Sequence, residues 1–448
     1  MERTSPLAWI LAALAAAAVF LTPAVWNGFP FVFYDSADYI GAAFTFQMPP
    51  FRLLPYAILA MLGRLGGSLW IAVLIQAGAI LFTLALLARW QGQAKAPGNF
   101  LLIALGCALF TTAPWYAGLL MPDAFAPVAI LSASLLLADW ERMGRLKYAA
   151  LALVPFSGMV HATHLMILAG LSLIGLVLWG FRQVRARAAL SLAAATLAAW
   201  LLVPSLHAAT QGSFTYNRGS SVFLLARLVS AGLVQQELPN LCARKPYLIC
   251  GMQDRLYGQE NDFLWGHGGV FFGRAGSLDV WIDEAPEIIG QVVRAHPWEA
   301  LSFALSSATR LFFAFGPDDV FDPMAFHMQR ALETHWPSLV GDLQNARQQH
   351  GWDAARFWLA RVCTPVMAVG LAGLVLIFAL ALRLGERRQA LLAGLLLAGL
   401  IGNALACGGL SSFAERYQAR VEWIAFAFTL ANLVWLKIRI YRRRPPGH

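Results

Sequence analysis

The feature that most constrains this chain is a series of apolar stretches, each near the length needed to cross about 30 Å of hydrocarbon. Ten can be marked: residues 7–26, 69–88, 100–119, 124–138, 147–161, 164–180, 189–206, 363–382, 390–409 and 421–436. Lipid offers no partner for backbone N–H and C=O groups, so runs of this kind are expected to be α-helices. Two of them, 124–138 and 147–161, are short for a perpendicular crossing; their ends run beyond these limits or their flanks are buried in protein. Apolar residues make up 59% of the 448 and charged residues 13%, which excludes an ordinary soluble domain. The expected fold class is an all-α polytopic membrane protein of about ten transmembrane helices.

The net charge of +9 is distributed in a way that argues against a nucleic-acid partner. With the N-terminus inside, the cytoplasmic pieces are 1–6, 89–99, 139–146, 181–188, 383–389 and 437–448. Together with Lys147 they hold 17 of the 33 Lys and Arg against 4 of the 24 Asp and Glu, a net +13. The remainder then carries 16 basic against 20 acidic groups, a net −4. This is the positive-inside pattern, ending in KIRIYRRRPPGH, and it places both termini in the cytoplasm with the tail against anionic lipid. The opening run resembles a signal peptide, with Arg3 ahead of LAWILAALAAAAVF, but it continues to Trp26 without a clean cleavage site.

Three regions follow: an N-terminal transmembrane block, 1–206, with an acidic first outer loop at 27–68; a long outer insertion, 207–362; and a C-terminal block with a basic tail, 363–448. The insertion is rich in Trp, Tyr and His and reads as a folded periplasmic domain. Its ALSSATRLFFAFG segment, 304–316, is assigned to an interfacial helix, because an eleventh span would invert the charge pattern of everything after it. Cys242 and Cys250, in NLCARKPYLICGM, are expected to form a disulfide in an oxidising compartment. Within the first loop, SADYIGAAFTFQ and FRLLPYAILAMLGRL read as two surface-lying helices broken at MPP.

Candidate site residues cluster on the outer side. In FVFYDSADYIGAA, Asp35 and Asp38 are three apart and share a helix face, flanked by Tyr34 and Tyr39. The competing reading is capping, since Asp35 or Ser36 suits an N-cap and Asp38 a first turn. Asp123, in GLLMPDAFAPV, has the same two readings. His161 and His164 of VHATHLM could contact substrate; as metal ligands they lack a neighbouring carboxylate. Arg52, Arg416 and Arg420 present the fork that suits phosphate, against the alternative of lipid-headgroup contact, and Glu415 precedes them in FAERYQARVEW. There is no Walker loop, no dinucleotide glycine pattern and no serine nucleophile elbow. Strongly polar groups within the spans are few, chiefly Gln76, Asn403 and Asn432.

An opening span, an acidic first outer loop, a second acidic turn between spans three and four, and the late ERYQAR turn together resemble the GT-C glycosyltransferases. These are membrane enzymes that take sugars from polyprenyl-phosphate carriers. The resemblance covers the layout of residues 1–206 and that last turn; DSAD departs from the family's usual adjacent acidic pair, leaving open whether Asp35 or Asp38 is the working group. It implies an inverting transfer at the periplasmic face of a bacterial inner membrane, to a glycan, lipid or protein acceptor. One of Asp35 and Asp38 would be the base. Asp123, His161, His164, Tyr39, Arg52, Glu415, Arg416 and Arg420 would contact donor or acceptor. No cofactor is called for; a divalent metal is compatible with the chemistry, but no residue pattern indicates one.

Two other classes stay open on the sequence: a non-catalytic envelope scaffold, whose acids cap helices and whose arginines anchor lipid, and a polysaccharide or lipid transporter, which requires a polar path through the spans. The topology has a direct test. A reporter fused after Arg444 is expected to read as cytoplasmic and one inserted near Gly268 as external; the same side for both would make the span count wrong by an odd number.

Overall fold

The computed structural model describes residues 5–48, 51–92, 96–253, 256, 260–266, 269–271, 278–317, 319–323, 325–351 and 353–433; Gly268, the end of the last apolar run and the basic tail 437–448 lie outside them. Among the described residues the regular structure is all helical, apart from an isolated parallel bridge between Phe31 and Leu119. Among the described residues, seven helices are long and apolar enough to cross a membrane: Pro6–Asn27, Trp70–Gln91, Pro122–Asp139, Ala162–Gly180, Ala186–Thr210, Asp353–Arg383 and Arg387–Gly409.

Two of the other apolar runs form shorter helices, each for a local reason. The 100–119 run is interrupted after Phe110, where the Thr111 hydroxyl donates to the Cys107 carbonyl (2.6 Å) and accepts from the Ala113 N–H (3.2 Å). A separate short helix, Ala113–Gly118, follows with Pro114 in its first turn, where a missing N–H costs nothing. The 147–161 run ends at Val160 because His161 is extended, and its ring accepts from the Thr163 N–H to open the next helix. The last run begins earlier than its hydropathy suggests. Its helix starts at Arg416, so Arg416 and Arg420 belong to the helix and not to the turn before it.

The helix Phe125–Asp139 is buried on nearly every side and forms the centre of the bundle, as a helix apolar all round should. Pro6–Asn27 buries only a narrow stripe, Ala12, Ala16, Phe20 and Ala24, spaced four apart, and leaves the rest of its surface apolar and exposed. Glycine permits the closest crossing. A Cβ on Gly370 would meet the Phe426 backbone at 2.6 Å, and the Thr429 hydroxyl donates across the same contact to the Gly370 carbonyl (2.9 Å).

The 207–362 insertion contains two packing units. Helices Ser220–Ser230, Leu233–Arg244 and Leu278–Ala295 enclose a core of their own around Val222, Leu241, Trp281 and Ile288, and Cys242 is joined to Cys250 beside it. The later part packs elsewhere. Pro297–Phe312 lies against the π-helical turn Leu405–Gly409, while Ala325–His335 packs on the first-loop helix Tyr34–Thr45 and contributes Met328 and Leu332 to the main core.

One buried ion pair fastens the first unit to the C-terminal block. Arg227 meets Glu260 at 2.9 Å and also donates to the Gly408 carbonyl (2.8 Å), on the turn whose π-helical winding releases carbonyls from the usual ladder. Glu260 in turn accepts from the Phe413 N–H (2.7 Å). Glu260→Ala leaves Arg227 buried and uncompensated, with an expected loss of about 3–5 kcal/mol. Thermal unfolding of the purified protein in detergent reads this directly; an unchanged midpoint would mean that the two units hold together without the pair.

Candidate active site

The DSAD segment is fixed by backbone contacts to the turn that carries Asp123. The Phe31 N–H donates to the Gly118 carbonyl (2.9 Å) and the Leu120 N–H to the Phe31 carbonyl (2.8 Å). Ser36, not Asp35, makes the local cap: its Oγ accepts from the Phe33 N–H (2.9 Å) and its hydroxyl donates to the Leu120 carbonyl (2.9 Å). From the other side, Gln76 donates to the carbonyls of Ala117 (3.1 Å) and Leu119 (2.8 Å) and accepts from the Tyr56 hydroxyl. Gln348 closes the ring by pairing with both backbone groups of Val32, accepting from its N–H (3.1 Å) and donating to its carbonyl (2.7 Å).

With capping assigned to Ser36, the Asp35 carboxylate turns to Arg52 and accepts from its guanidinium, and Asp38 stands 3.7 Å from the same side chain. Arg52 lines a cavity of about 110 Å³ together with Tyr39, His161, Thr163, Ser411 and Tyr417. Arg416 lies over the Phe33 ring (4.2 Å to its centre) and over Tyr417 (5.0 Å), and pairs with Asp319 of the insertion at 3.2 Å. Deeper in the bundle Asp123 pairs with Arg420 at 3.1 Å, both fully shielded. Arg420 donates further to Thr163 (3.2 Å) and Asn403 (3.2 Å) and touches the Cys407 sulfur (3.3 Å).

The structure thus brings Tyr39, Arg52 and His161 to one cavity wall, with Asp35 and Asp38 behind it on Arg52 and Arg416 on the lining residue Tyr417, while Arg420, paired with Asp123, reaches the lining residue Thr163. His164 is buried behind His161, its Nδ1 bonded to the Ser157 carbonyl (3.1 Å), and does not reach the cavity wall. Glu415 is exposed at the start of the last helix and is not part of the wall either. Among the described residues no three His, Cys, Asp or Glu side chains gather as metal ligands.

Several participants were not legible beforehand. Asp319, in FGPDDV, carries no local signal. Thr163 was hidden between the two histidines. Asn403, Gln418 and Glu422 form a buried polar chain: Asn403 donates to Gln418 (2.9 Å) and Gln418 to Glu422 (2.6 Å). Asn403 stood out as a polar group within a span; for Gln418 and Glu422 the available clue was a glutamate two residues past an arginine in an otherwise apolar run.

Burial decides the charge states at the cavity. Desolvation pushes the His161 imidazole down to about 3, assisted by nearby Arg420, so the ring is neutral at physiological pH and able to accept. Desolvation likewise pushes Asp38 up to about 6, against the pull of Arg52 and with a smaller push from Asp35. Comparison with family models, with characterised proteins and with solved structures finds no match to this chain.

The raised Asp38 value has a consequence for stability. Its carboxyl ionises in the unfolded chain near 3.8 but in the folded protein only near 6, so the unfolded state loses its proton first and stability falls as pH rises between them. Above about 6 the deficit is constant. The difference in thermal midpoint between wild type and Asp38→Asn should therefore change across pH 4 to 6, with the wild type losing ground, and flatten above; a difference independent of pH would contradict the burial of that carboxyl.

Proposed function

We propose that the chain is a membrane glycosyltransferase of the GT-C type, moving a sugar from a polyprenyl-phosphate carrier to an acceptor on the periplasmic side. In this reading all ten apolar helices cross the bilayer, both termini are cytoplasmic, and the 207–362 insertion stands outside. The observation that carries it is the Asp35 and Asp38 pair held by Arg52, which itself lines a small cavity, with the capping role already filled by Ser36.

The chemistry needs no nucleotide-binding fold. Asp35 takes the proton of an acceptor hydroxyl as that oxygen bonds to the anomeric carbon; the bond from that carbon to the phosphate oxygen breaks, and the electron pair leaves on the phosphate. Arg416, with its planar fork, stabilises the departing phosphate where charge develops, and Arg52 orients Asp35. Asp38, His161 and Tyr39 orient sugar or acceptor hydroxyls. A single displacement inverts the anomeric centre.

A transport reading gains from the buried chain Asp123, Arg420, Asn403, Gln418 and Glu422, which gives the interior more polar groups than its sequence suggested. The two readings separate on Asp35. In Asp35→Asn the fold should be intact, because the local cap is made by Ser36, while sugar transfer from a polyprenyl-phosphate donor in proteoliposomes falls by about 10²-fold or more. Asp38→Asn should cost less, and Arg416→Lys should weaken donor use while keeping charge. Full transfer activity in the Asp35 and Asp38 variants, singly and together, would make the carboxylates structural and overturn this mechanism; no transfer by the wild type would favour a scaffold, and uptake into liposomes without transfer would favour transport.

A further inference from the structure

A second concentration of charge lies at the opposite end of the bundle. Asp139 ends the helix that begins beside Asp123, and the helical rise separates the two by roughly 24 Å. There Asp139 accepts from Arg388 (2.9 Å), which also donates to the Trp90 carbonyl (3.1 Å) and stacks over the Trp90 ring. This pair forms a ridge between two cavities. One, of about 570 Å³, is lined by Arg142, Arg182, Arg185 and Trp179; the other, of about 200 Å³, by Arg89, Arg142 and Trp90. Two carboxylates, Asp139 and Glu141, stand against five guanidinium groups around these walls, and Asp139 is already engaged by Arg388.

Two further observations point to a ligand. The Nε–H of Arg388 and the indole N–H of Trp90 are buried, and neither has a hydrogen-bond partner among the described residues. Folded proteins match the large majority of buried donors, so these two, both on the wall of the smaller cavity, are available to an acceptor from outside the chain. The second observation is the backbone of Arg182. It follows the helix Ala162–Gly180 at φ 57°, the left-handed position where glycine is ordinarily favoured, and its N–H donates to the Trp179 carbonyl (2.8 Å). The backbone gains nothing from arginine there, so the side chain accounts for the residue.

The rim identifies the kind of anion. Phe181 is 72% exposed, and Val177 and Trp179 are exposed beside it, giving the cationic mouth an apolar flank that a soluble anion would leave wet. We propose that this end of the bundle binds the headgroup of an anionic phospholipid, with phosphate oxygens between Arg142, Arg182 and Arg388 and an acyl chain along Val177 and Phe181. The proposal depends on the chain being membrane-embedded and is independent of the catalytic reading.

The test uses the full chain in neutral detergent, titrated with phosphatidylglycerol, diphosphatidylglycerol, phosphatidylcholine, inorganic phosphate or pyrophosphate, with unfolding followed by tryptophan fluorescence. The anionic lipids should raise the midpoint by several degrees, and the other additions should not. The combined variant Arg142→Gln, Arg182→Gly, Arg185→Gln should need about 10-fold or more lipid for half the effect. Arg182→Gly alone suits its backbone, so it should keep the lipid-free midpoint while weakening the response by about 3-fold. Neutralising Arg442, Arg443 and Arg444 of the tail should leave the response in place. An equal response in the combined variant, a response that vanishes with the tail charges, or the same shift from phosphate or pyrophosphate alone would overturn the proposal.

Discussion

Arg420 is fully buried in a largely apolar bundle, and its guanidinium holds helices to one another at the point where the chain's polar groups converge. Asp123 comes from the turn opening the central helix, Thr163 from the helix Ala162–Gly180, and Asn403 from the helix Arg387–Ala404. Lipid tails are as apolar as leucine, so apolar surface alone gives such helices little reason to choose one partner over another. A buried charge does give one, because leaving it unmatched costs several kcal/mol. The register of these helices is set where Arg420 finds its acceptors, and the polar chain through Asn403 and Gln418 to Glu422 extends that constraint inward.

The candidate site inherits its shape from this arrangement. Once Arg420 fixes Asp123, the preceding turn is fixed too, and that turn supplies the carbonyls that hold Phe31 and Ser36. The position of Asp35 is therefore decided by contacts that its own side chain does not make. The insertion takes part at the same level, through Asp319 on Arg416 and Gln348 on Val32. What reads along the chain as a separate outer region is split: one unit holds its own core and lines the cavity with Asn217, Ser220 and Phe223, and the other joins the main core and reaches the site through Asp319 and Gln348.

Helix content and the convergence of acids and arginines were legible because both follow from local rules: apolar run length, and short turns that deliver polar groups to one end. Helix limits were less so. The break at Thr111 depends on a hydroxyl substituting for a backbone partner, and the early start at Arg416 depends on Asp123, 297 residues away, making a charged helix turn tolerable inside the bundle. The choice between Asp35 and Ser36 as cap was undecidable from DSAD alone. It is settled by the Leu120 carbonyl, which gives the serine hydroxyl a second partner, and by Arg52, which gives the carboxylate another use. Asp319 and Gln348 lie in segments whose sequence carries no trace of the long-range contacts they make.

The two-way pairing of Gln348 with Val32 joins residues 316 positions apart. At a synthesis rate of about 5–20 residues per second, the first loop waits roughly 15 to 60 s before the side chain that pairs its backbone exists. Asp123 waits for Arg420 over a similar span of chain. The early helices must therefore be inserted with these groups still unmatched, and the loop bearing Asp35 acquires its final form only after Gln348 has been made. Assembly runs in the reverse of chain order at this site: residues made earlier are fixed by residues made later.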